Sequence, residues 1–332
     1  METPFFCVIC PMYNAEKHLD ESVQSVIGQS FTNWEMILVD DGSEDHSFQK
    51  AKKWAKHDKR IQVIQHEGGI NNGVSASRNL GVKHARGIWV AFLDADDVWL
   101  SNKLEKQHAI IQQYSNEILV LVYGQAKVID EHGHFIEDKR EAKAHNPLHK
   151  IYGSGKSGLQ KNAFKWAIKE IFDAPTSTVV CKKELISTLN GFEEDMRFSE
   201  DALMWYRMIE KGNMYFMNEP LSYYRVHQSQ WNAAATIKLK ATRRFIAYER
   251  LLLQTNKINQ KYISSLLLKK GFRIIVKTNI GYPYFDWKLI FQYWSRLIRN
   301  KEETVKDKLI SPLVFLSELI ILPVRLVYNR IK

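Results

Sequence analysis

The 332-residue sequence predicts an α/β fold, in which a mainly parallel sheet is covered by helices and followed by a helical C-terminal region. Three observations lead there. Short apolar runs alternate with helix-patterned stretches through the first third of the chain. Polar and acidic residues collect where those runs end, the place where open α/β sheets bind ligands. Beyond about Trp231 no strand pattern returns.

The apolar runs occupy residues 5–10, 36–39, 61–64 and 89–93, each bounded by polar turns and short enough to be a strand. Between them, residues 19–27, 48–55, 74–84 and 103–114 carry helical spacing of apolar positions. Residues 119–129 and Phe135 read as a hairpin around Glu131-His132-Gly133. A polar, lysine-rich connection covers 137–175. A strand resumes over 176–181, a helix over 200–210 and a strand over 221–226. From there Ile237, Ala241, Phe245, Tyr248 and Leu252 fall on one stripe of a long helix. The chain therefore divides into an α/β domain over 1–230, with halves 1–130 and 131–230, and a basic, amphipathic helical region over 231–332.

Composition narrows the class. Apolar residues at 45% and charged residues at 25% describe a folded protein and exclude a disordered one. Three cysteines suit a reducing compartment. Cys7 and Cys10 have C-x-x-C spacing, but positions i and i+3 of a strand face opposite ways, which favours core cysteines over a redox pair. Met1 runs straight into an apolar strand with neither a basic leader nor a cleavage site, which argues against secretion. The net charge of +10 is uneven: residues 237–332 carry 20 Lys and Arg against 6 Asp and Glu, while residues 1–236 carry 27 against 31. Such a tail calls for an anionic partner, whether lipid, phosphorylated acceptor or nucleic acid.

Four motifs carry chemistry. Phe92-Leu93-Asp94-Ala95-Asp96-Asp97 puts three carboxylates in four residues at the end of an apolar strand. Like charges so close repel one another, and a divalent cation with hard oxygen ligands, Mn2+ or Mg2+, resolves the conflict. The plain alternative is an acidic loop capping the next helix. Val39-Asp40-Asp41-Gly42-Ser43 ends a second strand in carboxylates able to accept from a base N–H or a ribose hydroxyl, or to cap a helix. In the segment 71–81, small residues pack a helix on the sheet, and Arg78 offers a two-pronged donor to phosphate or ribose, or a surface ion pair. Glu200-Asp201 opens an amphipathic helix; that is ordinary dipole compensation unless one carboxylate faces a cleft.

Their order and spacing closely resemble the family 2 inverting glycosyltransferases of GT-A fold, a Rossmann-type architecture, over about residues 4–230. The resemblance implies that Pro11 and Tyr13 lie against the nucleotide base and that Asp41 reads uracil. It places Arg78, Asp94 and Ala95 on the nucleotide-sugar, and Asp96 on the metal. Gly191, Phe192 and Glu200 fall on the acceptor side, with Asp201 as catalytic base, and Tyr224-Arg225-Val226-His227 supplies a His near metal or diphosphate. It further implies a UDP-sugar donor carrying a hexose or N-acetylhexosamine, and a saccharide or lipid-linked saccharide acceptor in bacterial surface polysaccharide synthesis (O-antigen or capsule). In this chain Ser77 replaces the usual Ala before the Arg. Pro11 stands where relatives often carry a hydroxyl, so base contacts there fall to the backbone. The tail from Ile237 matches no motif.

Asp201 is then expected to take a proton from the acceptor hydroxyl as that oxygen attacks the anomeric carbon. The cation, Arg78 and His227 are expected to counter charge on the departing diphosphate. Asp97 reads as a structural cap. A nucleotidyltransferase of related architecture needs a Gly-rich phosphate loop, and residues 11–17 contain no Gly. A non-catalytic basic binding protein is the alternative of another class, but no nucleic-acid motif is present, so no nucleic acid is expected as partner. Residues 309–327 are apolar yet interrupted by Pro312, Glu318, Pro323 and Arg325, and basic residues flank them. That pattern suits a helix lying on the cytoplasmic membrane surface better than one spanning it, with a core helix as the alternative. A cytoplasmic enzyme, peripheral on the inner face of the membrane, is expected; a homo-oligomer is left open.

Overall fold

The computed structural model describes residues 3–136, 157–170, 174–196 and 199–227, together with positions 251 and 254. The helical stripe from Ile237, the apolar segment 309–327 and the motif residue Phe198 lie outside the described residues. Two compact units divide the chain, Met1–Ala234 and Ala235–Lys332, and the strands and helices named below lie in the first.

Four strands build its N-terminal half: β1 (Phe6–Met12), β2 (Trp34–Asp40), β3 (Ile61–Gln65) and β4 (Trp89–Phe92). They pair in parallel in the order β3-β2-β1-β4. Helices α1 (Leu19–Ile27), α2 (Ser47–His57) and α3 (Val74–His84) make the crossovers. All seven residues of β1 are buried, because both faces of this strand are covered. Phe6, Val8, Cys10 and Met12 share a core cluster with Leu19, Val23 and Val26 of α1. On the opposite face Ile9 lies under α3, close enough that a Cβ on Gly81 would come within 2.6 Å of its side chain. Cys7 and Cys10 are free, buried thiols, and burial pushes both pKa values up, as core cysteines require.

The second half departs from a purely parallel sheet. After β5 (Val98–Trp99), α4 (Lys103–Gln113) and β6 (Leu119–Ile129) come β7 (Gly158–Gln160), α5 (Ala163–Glu170), β8 (Val180–Lys182), α6 (Lys183–Thr188), α7 (Glu200–Ile209) and β9 (Asn213–Arg225). Strand β8 enters antiparallel between β4 and β6, β9 runs parallel to β6, and β5 and β7 pair antiparallel with β9. The nine strands of the described residues thus form one mixed sheet.

Several boundaries differ from the sequence reading. The connection over 137–175 contains β7 and α5. The strand expected over 176–181 begins only at Val180. Thr176–Thr178 is instead a 3-10 turn, because Pro175 fixes its entry and Thr178 returns both its N–H and its hydroxyl to the Pro175 carbonyl. Strand β9 starts well before Leu221, accommodating Pro220 at an irregularity in its register with β6 near Gly124 and Gln125. At the other turn Phe135 bridges back to Ile129, as the hairpin reading expects. Among the described residues no helix is long and apolar enough to cross a membrane.

Candidate active site

The carboxyl ends of β1 and β2 lie side by side, with Met12 opposite Asp40. Pro11 is buried within β1, opposite Val39, and has no N–H to donate, whereas Tyr13 just beyond is 50% exposed. The following loops are stitched together: the Asn14 N–H donates to Ser43 Oγ (3.1 Å) and the Glu44 N–H to Asn14 Oδ1 (2.9 Å). Asp41 accepts backbone N–H groups from Asn72 (2.8 Å) and Gly73 (3.0 Å), with the His66 ring 3.5 Å away. Burial raises its pKa, and the two N–H groups oppose that rise. Between the loops, Gly42 sits at φ +75, where a Cβ would lie 2.7 Å from the Asn71 nitrogen. Only a residue without a side chain lets segment 70–73 approach Asp41 so closely. Asp41 is therefore an organiser of that segment as well as the residue expected to read a base.

The acidic loop after β4 turns on an Asp97 N–H to Asp94 carbonyl bond (3.0 Å) and is held from below by Ser22 Oγ, which donates to the Ala95 (2.9 Å) and Asp97 (2.7 Å) carbonyls. One cation was expected to relieve repulsion among all three carboxylates. In the structure each carboxylate has partners of its own, while burial, with the Asp96 charge adding, still raises the pKa values of Asp94 and Asp97. Arg78 donates to Asp94 (3.2 Å). Asp97, 2% exposed, accepts from Ser177 Oγ (2.5 Å) and the Arg225 N–H (3.0 Å), and burial holds its pKa well above the usual range. Asp96 turns the other way, its Oδ2 lying 3.0 Å from His227 Nε2, and its side chain is 24% exposed.

Asp96 and His227 are close enough together that they could share a divalent cation. Among the described residues no group of three or more His, Cys, Asp or Glu side chains converges on one point. Two protein ligands suit an ion that takes its remaining ligands from a diphosphate and water, the usual arrangement for such cations. Arg225, which the sequence reading names only as part of its motif, braces the loop that carries Asp96. Arg225 is 1% exposed; its Nε donates to the Asp96 carbonyl (2.8 Å), and Nη1 donates to the carbonyls of Asp130 and Glu131 (3.2 Å each). Its Nη2 pairs with Glu21 (2.5 Å). The signal in the sequence is its spacing of two from His227, which on extended chain points both side chains one way.

The N-terminus of α7 supplies Glu200 and Asp201, the pair expected on the acceptor side. Arg78, expected to donate to phosphate or ribose or to form an ion pair, is buried and paired within the protein: its Nη1 donates to Glu200 (2.8 Å) and its Nη2 to Asp94, and its guanidinium lies over the Phe192 ring. A buried arginine facing two carboxylates offsets part of the cost of taking their charges out of water. Burial, with the Asp201 charge adding, lifts the Glu200 pKa to about 7 although Arg78 opposes the shift. Asp201 accepts from Thr176 Oγ1 (2.8 Å) and from the Ala202 N–H (2.7 Å). Gly191 adopts φ +75 against Asn79, whose amide exchanges hydrogen bonds with the Phe192 N–H and carbonyl. Phe192 is buried edge-on to Phe92 and Trp205, so it contributes to the wall behind Arg78. Thr176 and Ser177, which touch Asp201 and Asp97, were missed because a Thr-Ser-Thr run reads as strand; the preceding Pro175 was the available turn signal.

Comparisons with known proteins give the lineage and the fold. The family model described as glycosyl transferase family 2 matches residues 7–174. TuaG of Bacillus subtilis (strain 168), assigned to teichuronic acid biosynthesis as a glycosyltransferase, is 31% identical over 70% of this chain and 84% of its own length. WfgD of Escherichia coli, a UDP-Glc:alpha-D-GlcNAc-diphosphoundecaprenol beta-1,3-glucosyltransferase, is 30% identical over 72% of this chain and 84% of its own. The mannosyltransferase PcManGT from Pyrobaculum calidifontis, solved in complex with GDP-Man and Mn2+, superposes with a TM-score of 0.59 at 13% identity, covering 96% of this chain and 81% of its own. That likeness shows the shared fold, and the sequence matches show the lineage: the chain is a glycosyltransferase belonging to family 2.

Proposed function

We propose that the chain is an inverting enzyme that transfers a hexose or N-acetylhexosamine from a UDP-sugar to a hydroxyl of a lipid-linked saccharide, in the synthesis of a bacterial surface polysaccharide. The observation that carries this reading is the division of labour around the acidic loop. Asp96 and His227 lie together on one side of it, and Arg78 and Glu200 link its other side to Asp201. The acceptor oxygen forms a bond to the anomeric carbon while the bond from that carbon to the diphosphate oxygen breaks. Asp201 takes the hydroxyl proton. One displacement from the opposite face inverts the anomeric centre. A divalent cation held by Asp96 and His227 would supply positive charge for the departing diphosphate. The imidazole ligand favours Mn2+ over Mg2+, because Mg2+ prefers oxygen. Tyr13 and Asp41 border the base, and Arg78 acts by holding Asp94 in place for the sugar-nucleotide.

The donor and acceptor classes draw on WfgD, whose name gives a UDP-Glc donor and a diphosphoundecaprenol acceptor, and the pathway class draws on TuaG. An acceptor of that kind places the enzyme beside a membrane. The basic region 231–332 supports binding to anionic lipid at the cytoplasmic face. The test is a panel of UDP-, GDP- and ADP-sugars assayed for transfer and hydrolysis with Mn2+, with Mg2+ and with EDTA. Turnover confined to UDP-sugars plus a divalent cation is expected. Turnover undiminished by EDTA, or a preference for GDP-sugars, overturns the corresponding part. Flotation of the full-length chain with anionic but not neutral vesicles, reversed by salt, tests the membrane part.

A further inference from the structure

Thr176, Ser177 and Thr178 follow Pro175 in a single buried 3-10 turn. Buried hydroxyls need partners, and these three divide unequally. Thr178 satisfies itself within the turn, donating to the Pro175 carbonyl (2.8 Å). The other two leave it. Thr176 Oγ1 donates to Asp201 Oδ2 (2.8 Å). Ser177 Oγ donates to Asp97 Oδ2 (2.5 Å) and accepts the Asp94 N–H (3.1 Å), so it closes the acidic loop across its mouth. Two adjacent residues therefore touch the carboxylate expected to accept the proton and the loop expected to carry the cation.

The turn does not depend on those hydroxyls for its place. The Ser177 carbonyl accepts from Trp99 Nε1 (2.7 Å), and the Thr178 carbonyl accepts from Gln107 Nε2 (2.8 Å). Its backbone is closed by the Thr178 N–H to Pro175 carbonyl and Val179 N–H to Thr176 carbonyl bonds. These anchors lie on β5 and α4, outside the reacting groups. A side chain that served only the fold could have bonded within the turn, as Thr178 does.

We infer that Thr176 and Ser177 are positioning residues that fix the proton acceptor and the cation-binding loop in one frame, Thr176 orienting Asp201 and Ser177 shaping the loop that presents Asp96. Without Thr176 the Asp201 carboxylate is held at one oxygen, by the Ala202 N–H, instead of at both, so its orientation is less tightly fixed. Misplacing a proton acceptor by a fraction of an ångström slows the transfer step while binding is untouched. Without Ser177 the Asp94 N–H and the Asp97 carboxylate both lose a partner, so the loop loosens before any chemistry occurs.

The inference rests on Asp201 being the proton acceptor, so Asp201→Asn is measured beside it. Thr176→Val is nearly isosteric. It is expected to lower kcat about tenfold while leaving the donor KM and the calorimetric affinity for UDP with Mn2+ unchanged, and Thr176→Ser should restore turnover. Ser177→Ala is expected to show the opposite split, weakening UDP with Mn2+ about tenfold. If Thr176→Val does not fold, Thr176→Ala, which only removes atoms, serves in its place. An inactive Asp201→Asn beside a fully active Thr176→Val overturns the inference alone. An Asp201→Asn variant with wild-type turnover overturns the proton-acceptor reading first. If kcat and UDP affinity fall together in both threonine and serine variants, and Thr176→Ser rescues neither, the turn is merely structural and the inference is wrong.

Discussion

Asp97→Asn separates a cation ligand from a strut at a position where the two readings predict different things. Asp97 is buried, with Ser177 Oγ donating to one carboxylate oxygen and the Arg225 N–H to the other. An asparagine keeps one acceptor, for Arg225, and turns an NH2 toward Ser177 Oγ, which can accept it. The net loss is about one hydrogen bond to a charged group, about 1.5–3 kcal/mol. Against it stands the removal of a buried negative charge, one whose burial already holds its pKa well above the usual carboxylate range. The two effects oppose, and a stability change within about 1.5 kcal/mol is expected, with UDP affinity in Mn2+ lowered less than about threefold. Asp97→Ala takes the shared acceptor away from both donors at about 1–3 kcal/mol each, a large part of the stability of an ordinary domain. Denaturant unfolding and calorimetric titration of UDP read both variants. If Asp97→Asn melts like the wild type but abolishes Mn2+-dependent UDP binding, Asp97 is a cation ligand and the assignment to Asp96 and His227 is mistaken.

Asp96→Ala should abolish the gain in UDP affinity that Mn2+ confers, measured as the difference with and without EDTA; an unchanged difference removes Asp96 from the cation site. Tyr13→Ala should weaken UDP about tenfold or more, because a stacked base contributes about 1–3 kcal/mol, and should leave the melting temperature alone, since the ring is half exposed; loss of stability in step with affinity would mean the ring is structural. Glu200, with its pKa raised to about 7, binds a proton in the folded state that the unfolded chain has already released. Stability should therefore fall as pH rises from about 4.5 through about 7, by up to about 3 kcal/mol, and Glu200→Gln should flatten that fall. An identical slope in the variant assigns the pH dependence to other carboxylates.

The parallel half of the sheet was legible because β1, β2 and β4 are buried along their whole length and read as plain apolar runs, and α1 and α3 fall where the apolar spacing puts them. The antiparallel half was harder to read for local reasons. Strand β5 has two residues, too few to show a period, and Pro220 interrupts the pattern of a strand that absorbs it at a register shift. Within the site, the motif order implied that Asp96 and His227 meet although they are 131 positions apart, and they do. The roles of Arg78, Ser177 and Arg225 were not legible. Each is set by partners distant in sequence: Glu200 is 122 residues from Arg78, and Asp97 is 80 from Ser177. Pattern reveals that a residue is polar and near a strand end, but only the folded chain shows whether its donors are already engaged.

The proposed chemistry comes to one residue whose removal should stop proton transfer and nothing else. Asp201→Asn keeps the hydrogen bond to the Ala202 N–H and changes almost no volume. Its turnover with a UDP-sugar and a saccharide acceptor, set beside its affinity for UDP with Mn2+, isolates the step. Turnover lowered by about 10² or more at unchanged UDP affinity is the expected result, since a positioned base commonly contributes about 10²–10⁴. Retention of more than about a third of wild-type turnover at that same affinity would show that the acceptor hydroxyl loses its proton elsewhere, with Glu200 the next carboxylate to examine.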